Sequence, residues 1–244
     1  MKQEGVMKLP KALAFDVFGT VVDWRAGIAR EAALLLDSLG RADITPEAFA
    51  DGWRARYQPA MARVRSGERP FVILDTLHRE TLEDLLVSLE IDPAAVGDER
   101  LHDLTLAWHR LDPWPDAVAG LTQLKRRFPI VTLSNGNIAL MLDMARRAGL
   151  PWDAILGAEV SGHYKPDPEA YLASARALAI QPDELCLVAA HHSDLAAARS
   201  CGLLTAYVDR PKEYGGRPAP DRSFAQKWEW NVSSLTELAD ALGI

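Results

Sequence analysis

An α/β fold, a doubly wound parallel sheet with a helical insertion after its first strand, follows from three features of this 244-residue chain. An early apolar run, Leu13-Ala14-Phe15, delivers Asp16 and is soon followed by Gly19-Thr20, which is how a buried parallel strand ends at the carboxyl edge of a sheet. From about residue 25 to 110, Gly and Pro are sparse and apolar residues recur at helical steps. Beyond residue 112, helix and strand patterns alternate, as in a parallel sheet covered on both faces. The core is therefore expected from residues 1–22 and 112–244, and a cap from residues 23–111.

Taken in order, the cap should hold helices near residues 26–39, 46–66, 71–90 and 94–110. Thr45-Pro46-Glu47 offers an N-cap, a proline at the first helical position and an early acid. On that second helix Phe49, Trp53, Tyr57, Met61 and Val64 form one stripe and read as core, with Arg54 at its edge, where a guanidinium can reach a cleft while its stem covers apolar surface. The prolines around Leu111 to Asp116 break helical continuity and return the chain to the core. There follow a helix over 116–127, a strand over 129–134, a helix over 137–148 and a short strand near 154–156. Helix 168–179, strand 185–190, helix 194–201 and strand 203–208 come next, then a Pro- and Gly-containing loop over 211–220 and a last helix over 234–242.

Composition bounds the function. The chain is 48% hydrophobic and 25% charged, ordinary for a globular protein. A net charge of -7 disfavours a nucleic-acid or anionic-membrane surface, since either needs a basic face, so no nucleic acid and no membrane are expected as partners. Cys186 and Cys201 lack metal-type partners at short spacing, which fits a reduced, cytoplasmic setting. The first ten residues lack the apolar core of a signal peptide, and no run approaches the roughly 20 apolar residues of a membrane span.

Four stretches carry candidate chemistry. Asp16 reads either as a strand-closing turn aspartate or as a nucleophile. Ser134-Asn135-Gly136 leaves a hydroxyl, an amide and backbone donors at a helix start, either a cap or a seat for an anion. Lys165, in His163-Tyr164-Lys165-Pro166-Asp167, is a solvent charge by default, but beside Asp16 it would keep that carboxylate ionised. In Ala189-Ala190-His191-His192-Ser193-Asp194, Asp194 opens a helix whose N-terminus favours negative charge. Adjacent histidines point apart and zinc-type spacings are absent, so no metal or other cofactor is expected. His191 is a site candidate and His192 a packing or surface residue.

These four stretches, in this order, resemble the motifs of the haloacid dehalogenase superfamily across nearly the whole chain. The resemblance implies a Rossmann-like doubly wound parallel sheet core with a helical cap domain inserted after the first strand. It makes Asp16 the nucleophile, puts Thr20, Ser134 and Asn135 around a bound anion, and matches the cap's Trp-Arg pair to Trp53-Arg54. A family tyrosine four residues after the motif's aspartate falls on Tyr171. Superfamily phosphatases carry an acid two residues after the nucleophile and a magnesium ligand four before the last aspartate; here these positions are Phe18 and Ala190. The chain therefore resembles the type II, L-2-haloacid dehalogenases, which are metal-independent.

What this implies is hydrolysis of haloacetates or L-2-halopropionate through an ester on Asp16, with Arg54 receiving halide, Ser134, Asn135 and backbone donors holding the substrate carboxylate, and Asp194, aided by Lys165 or His191, orienting water. Ala189 and His191 depart from the serine and asparagine of several family members, and the bulkier imidazole is expected to favour haloacetates. A homodimer is what many family members form, though no segment here announces an interface. A magnesium-dependent phosphatase, a hydrolase opening another electrophilic carbon, and a non-catalytic small-acid-binding scaffold are the alternatives.

Overall fold

The computed structural model describes residues 8–244; most of the N-terminal stretch read above as lacking a signal-peptide core lies in residues 1–7, outside the described residues. The chain opens with β1 (Ala12–Phe15), all four residues buried, as an apolar strand between two neighbours must be. A two-residue strand β2 (Val22–Asp23) leads out into α1 (Trp24–Ser38), which Asp23 caps by accepting from Ala26 N at 3.0 Å. α2 (Pro46–Arg65) starts as its sequence demands, with Thr45 accepting from Ala48 N and Pro46 in the first turn. α3 (Leu74–Ser88) follows, and the continuous helix expected over 94–110 is instead three pieces: α4 (Pro93–Val96), α5 (Asp98–Thr105) and a 3-10 turn, Leu106–Arg110. Asp92 caps the first piece, and Gly97 breaks it from the second, which restarts on Asp98 and Glu99, so the apolar spacing survives while the axis does not.

The chain returns through β3 (Asp112–Pro113), antiparallel to β2, a ribbon too short to leave an alternating pattern in the sequence. Then come α6 (Ala117–Leu124), β4 (Ile130–Ser134), α7 (Ile138–Ala148), β5 (Ala154–Gly157) and a one-turn helix α8 (Ala158–Ser161). α9 (Pro168–Ala177), β6 (Leu185–Ala189), α10 (His192–Ser200), β7 (Leu204–Val208), β8 (Trp230–Val232) and α11 (Leu235–Ala241) complete the core. Neither α8 nor β8 was expected. Asp194, expected to open its helix, instead lies in the first turn of α10, which begins at His192.

Among the described residues the sheet has six parallel strands in the order β5-β4-β1-β6-β7-β8. β1 is central, with Phe15 paired to Thr132 on one side and Val188 on the other. The ends of β1, β4 and β6 therefore lie side by side, bringing Asp16, Ser134 and the segment after Ala189 to one edge, where an open α/β sheet binds its ligands.

The segment between β2 and β3 packs over that edge. Trp24, Trp53 and Trp108 are 1% exposed, and each such buried aromatic contributes roughly 1.5–3 kcal/mol of apolar transfer. Polar ties fix the lid to the base: Asn137 Nδ2 donates to Asp75 Oδ2 at 2.8 Å, and His109 lies between Asp75 Oδ1 at 3.1 Å and Asp143 Oδ2 at 2.8 Å. No helix among the described residues is long and apolar enough to cross a membrane.

Gly157 ends β5 with φ at 134°, and a Cβ there would lie 2.1 Å from the Ser134 carbonyl oxygen. Gly157→Ala should cost about 1–3 kcal/mol by combined strain and overpacking, read as a lower urea midpoint; an unchanged midpoint would refute the tight β4–β5 junction.

Candidate active site

Asp16 follows the last residue of β1 and is 6% exposed, with its backbone N–H held by Val188 O at 3.0 Å. Oδ1 accepts from Lys165 Nζ at 2.9 Å, and Oδ2 accepts from Thr20 Oγ1 at 2.7 Å. Thr20 is oriented in turn by Ala190 N–H, which donates to its Oγ1 at 2.9 Å. Burial alone would raise the Asp16 pKa; the Lys165 charge and the His191 hydrogen bond outweigh it and hold the carboxyl well below the usual range. Lys165, 7% exposed, also bonds Asp194 Oδ2. Burial pulls its pKa down, but the charges of Asp16 and Asp194 prevail and raise it.

Asp194 reaches the same ammonium from the first turn of α10, and its Oδ1 accepts from Tyr171 OH at 2.6 Å. Burial and the Asp194 charge push the Tyr171 phenol far above its ordinary pKa, so it remains a neutral donor. Asn135 Oδ1 accepts from Lys165 N at 2.8 Å, which leaves the Asn135 amide N–H groups to donate. Ser134 is fully buried and its Oγ accepts from Gly136 N at 3.1 Å, with the hydroxyl proton still available.

The wall opposite is aromatic. Phe18 is 2% exposed and meets Trp108 edge-on at 5.7 Å. Arg54 lies with Cζ 4.1 Å from the Tyr57 ring centroid, 5.3 Å from Trp24 and 5.8 Å from Phe18. Its Nη1 is buried and has no hydrogen-bond partner among the described residues. His78 stacks on Trp108 at 4.3 Å, and burial pushes its pKa down to about 3, so it is neutral.

Asp16, Phe18, Thr20, Ser134, Asn135, Lys165, Tyr171, His191 and Asp194 thus gather at the edge of the sheet, with Arg54 reaching Phe18 from the cap. His191 Nδ1 is 3.1 Å from Asp16 Oδ2. His192 instead stacks on Tyr207 and accepts from Trp228 Nε1, a packing residue. Sequence reasoning missed Glu213, 2% exposed, whose Oε1 lies 2.9 Å from His191 Nε2. Nothing in the loop over 211–220 marks it, because an acid between Lys212 and Tyr214 has no periodicity to follow.

Among the described residues no cluster of three His, Cys, Asp or Glu side chains has a metal-binding arrangement. The Lys165 ammonium occupies the space between the two aspartates.

A buried lysine–carboxylate centre at the carboxyl edge of a capped, doubly wound sheet is the class of site this fold defines. A family model described as haloacid dehalogenase-like hydrolase matches residues 10–202. (S)-2-haloacid dehalogenase 1 of Pseudomonas sp. (strain CBS-3) is 31% identical, over 95% of this chain and 96% of that protein. A crystal structure of a defluorinating L-2-haloacid dehalogenase is 47% identical and covers 96% of both chains with a TM-score of 0.93. Another L-2-haloacid dehalogenase structure is 46% identical, covering 96% of this chain and 98% of that one, with a TM-score of 0.89. The chain belongs to the haloacid dehalogenase-like hydrolases, in their L-2-haloacid dehalogenase branch.

The depressed Asp16 carboxyl contributes stability above its unfolded value of 3.8, lost as pH falls through the lower folded value. Lys165→Met leaves two buried carboxylates without their ammonium. It should lower stability at neutral pH by about 3–5 kcal/mol and shrink the acid-induced loss, because Asp16 is no longer held so low. Urea unfolding across pH checks this; parallel pH curves for the two proteins would refute the role given to Lys165.

Proposed function

We propose that this hydrolase displaces halide from short 2-haloalkanoic acids, haloacetates foremost, and releases the 2-hydroxy acid through an ester on Asp16. The observation that carries the reading is the buried, ionised Asp16 beside Lys165 with the aromatic Phe18 two residues on. Halide leaves carbon without protonation, so the reaction needs a dry, aligned carboxylate and no second acid at position 18.

Asp16 attacks C2 from behind the carbon–halogen bond, which inverts that carbon. Arg54 receives the halide: its Nη1 has a buried N–H with no partner among the described residues, and the rings of Tyr57, Trp24 and Phe18 exclude water around it. The free N–H groups of Asn135, the Ser134 hydroxyl and nearby backbone donors hold the substrate carboxylate. Water then attacks the Asp16 carbonyl carbon, with its proton taken by Asp194, whose second lone pairs remain beside the bonds from Lys165 and Tyr171. Phe18 and Ala190 supply neither a leaving-group acid nor a magnesium ligand, which supports a metal-independent reaction and disfavours the phosphatase alternative. The free thiols of Cys186 and Cys201 suit a cytoplasmic setting. We read residues 23–111 as the cap domain of this enzyme.

Halide release from chloroacetate and racemic 2-chloropropionate, beside phosphate release from a phosphomonoester, tests this with and without a chelator. Chelator-insensitive halide release, lost in Asp16→Asn, is the expected result, with chloroacetate turned over faster than 2-chlorobutyrate. Magnesium-dependent phosphate release without halide would overturn the reading.

A further inference from the structure

The loop between β7 and β8 supplies a carboxylate that no step above uses. Glu213 Oε1 accepts from Trp24 Nε1 at 3.0 Å and lies 2.9 Å from His191 Nε2. It is packed so closely under Gly19 that a Cβ there would lie 2.1 Å from Oε1. The other ring nitrogen, Nδ1, is 3.1 Å from Asp16 Oδ2. Both partners are carboxylate oxygens, which only accept, so both ring nitrogens carry protons and the ring is a cation. Burial opposes that charge, but Glu213 and Asp16 prevail and raise the His191 pKa well above its ordinary value. Around this ring stand Asp16 and Glu213, with Lys165 beyond Asp16 and the neutral Tyr214 phenol next to Glu213; Asp194 is engaged with Lys165 and Tyr171.

Counting lone pairs separates the two oxygens of Asp16. Oδ2 accepts from both Thr20 Oγ1 and His191 Nδ1, at 2.7 and 3.1 Å, and both its lone pairs are engaged. Among the described residues Oδ1 accepts only from Lys165 Nζ, which leaves one lone pair free to attack carbon. Resting on the dehalogenase reading above, we propose that Asp16 attacks through Oδ1, and that Oδ2 becomes the ester carbonyl oxygen, with Thr20 and the His191 imidazolium as its oxyanion hole. Glu213 is the positioning residue that keeps His191 charged and aimed at Oδ2.

The electrons balance. The Oδ1 lone pair forms the bond to C2 while the carbon–halogen pair leaves as halide. Water oxygen then adds to Cγ, its proton goes to Asp194, and the carbonyl π pair moves onto Oδ2, where Thr20 Oγ–H and His191 Nδ1–H already point from 2.7 and 3.1 Å. When that pair returns, the Cγ–Oδ1 bond breaks, and the departing alkoxide takes the proton from Asp194 as the 2-hydroxy acid. The new Asp16 carboxyl loses its proton to solvent, which accompanies the halide. His191 donates hydrogen bonds throughout and transfers no proton.

The test follows halide release from chloroacetate by rapid quench, with intact-protein mass spectrometry, in wild type, Glu213→Gln, His191→Ala and His191→Asn. In Glu213→Gln and His191→Ala a burst of about one halide per site should remain, followed by turnover slowed roughly 10²-fold, the cost of one oxyanion donor, with the Asp16 ester accumulating. Ester hydrolysis in the wild type should fall at high pH as His191 loses its proton, and Glu213→Gln should move that fall to lower pH. His191→Asn, with an amide donor that does not titrate, should recover part of the hydrolysis lost in His191→Ala and abolish the fall. Hydrolysis in Glu213→Gln at the wild-type rate, or an unmoved alkaline fall, overturns the proposal while leaving the dehalogenase reading intact. A wild type that releases no halide at all overturns that reading, and this inference with it.

Discussion

The structure turns on one buried ammonium. Lys165 brings a positive charge to a place 7% exposed to solvent, where withdrawing an ion from water costs several kcal/mol even after relaxation, and two aspartates offset that cost at hydrogen-bonding distance. Asp16 comes from the end of the central strand and Asp194 from the helix that directly follows the neighbouring strand β6, so the arrangement exists only if β1 and β6 pair in register. The surrounding donors complete it: Thr20 and His191 on one carboxylate, Tyr171 on the other. Thr20 and His191 lower the energy of the ionised Asp16 in a setting whose burial would otherwise raise its pKa.

The two layers divide the work. The sheet edge contributes charge and hydrogen bonds, whereas the inserted helices contribute aromatic surface and the Arg54 guanidinium. Among the described residues Arg54 is met by the π faces of Tyr57, Trp24 and Phe18 rather than by a carboxylate, and its Nη1 has no partner. Lys165, by contrast, has both its acids beside it. One cation holds Asp16 in the anionic form, and the other keeps an N–H that no group among the described residues accepts.

Much of this was legible in the chain itself, for identifiable reasons. The central strand announces itself because a strand covered on both faces must be continuously apolar, and Leu13 to Phe15 are. Asp16, Ser134 and Asn135 could be singled out by position because they lie at strand ends, where turn chemistry is local, whereas Lys165, beyond a one-turn helix, was singled out by resemblance. The breaks around Gly97 were not, because an apolar stripe records which face is buried and says little about whether the axis is continuous. The strands Val22–Asp23, Asp112–Pro113 and Trp230–Val232 hold two or three residues each, too few for an alternating pattern to stand out. Glu213 lay hidden for a different reason: its partners Trp24 and His191 are brought to it by tertiary folding alone, and an isolated acid in a proline- and glycine-bearing loop reads as solvated.

The strand order has a consequence for how the molecule is made. β1 is among the first segments synthesised, yet its neighbours start at Ile130 and Leu185, so its apolar residues Leu13 and Phe15 wait unpaired through most of translation. The helices between Trp24 and Arg110 pack largely against one another and can condense earlier. The nascent chain thus passes through a stage with its lid formed and its floor unbuilt, and no charge centre can assemble until Asp194 has left the ribosome.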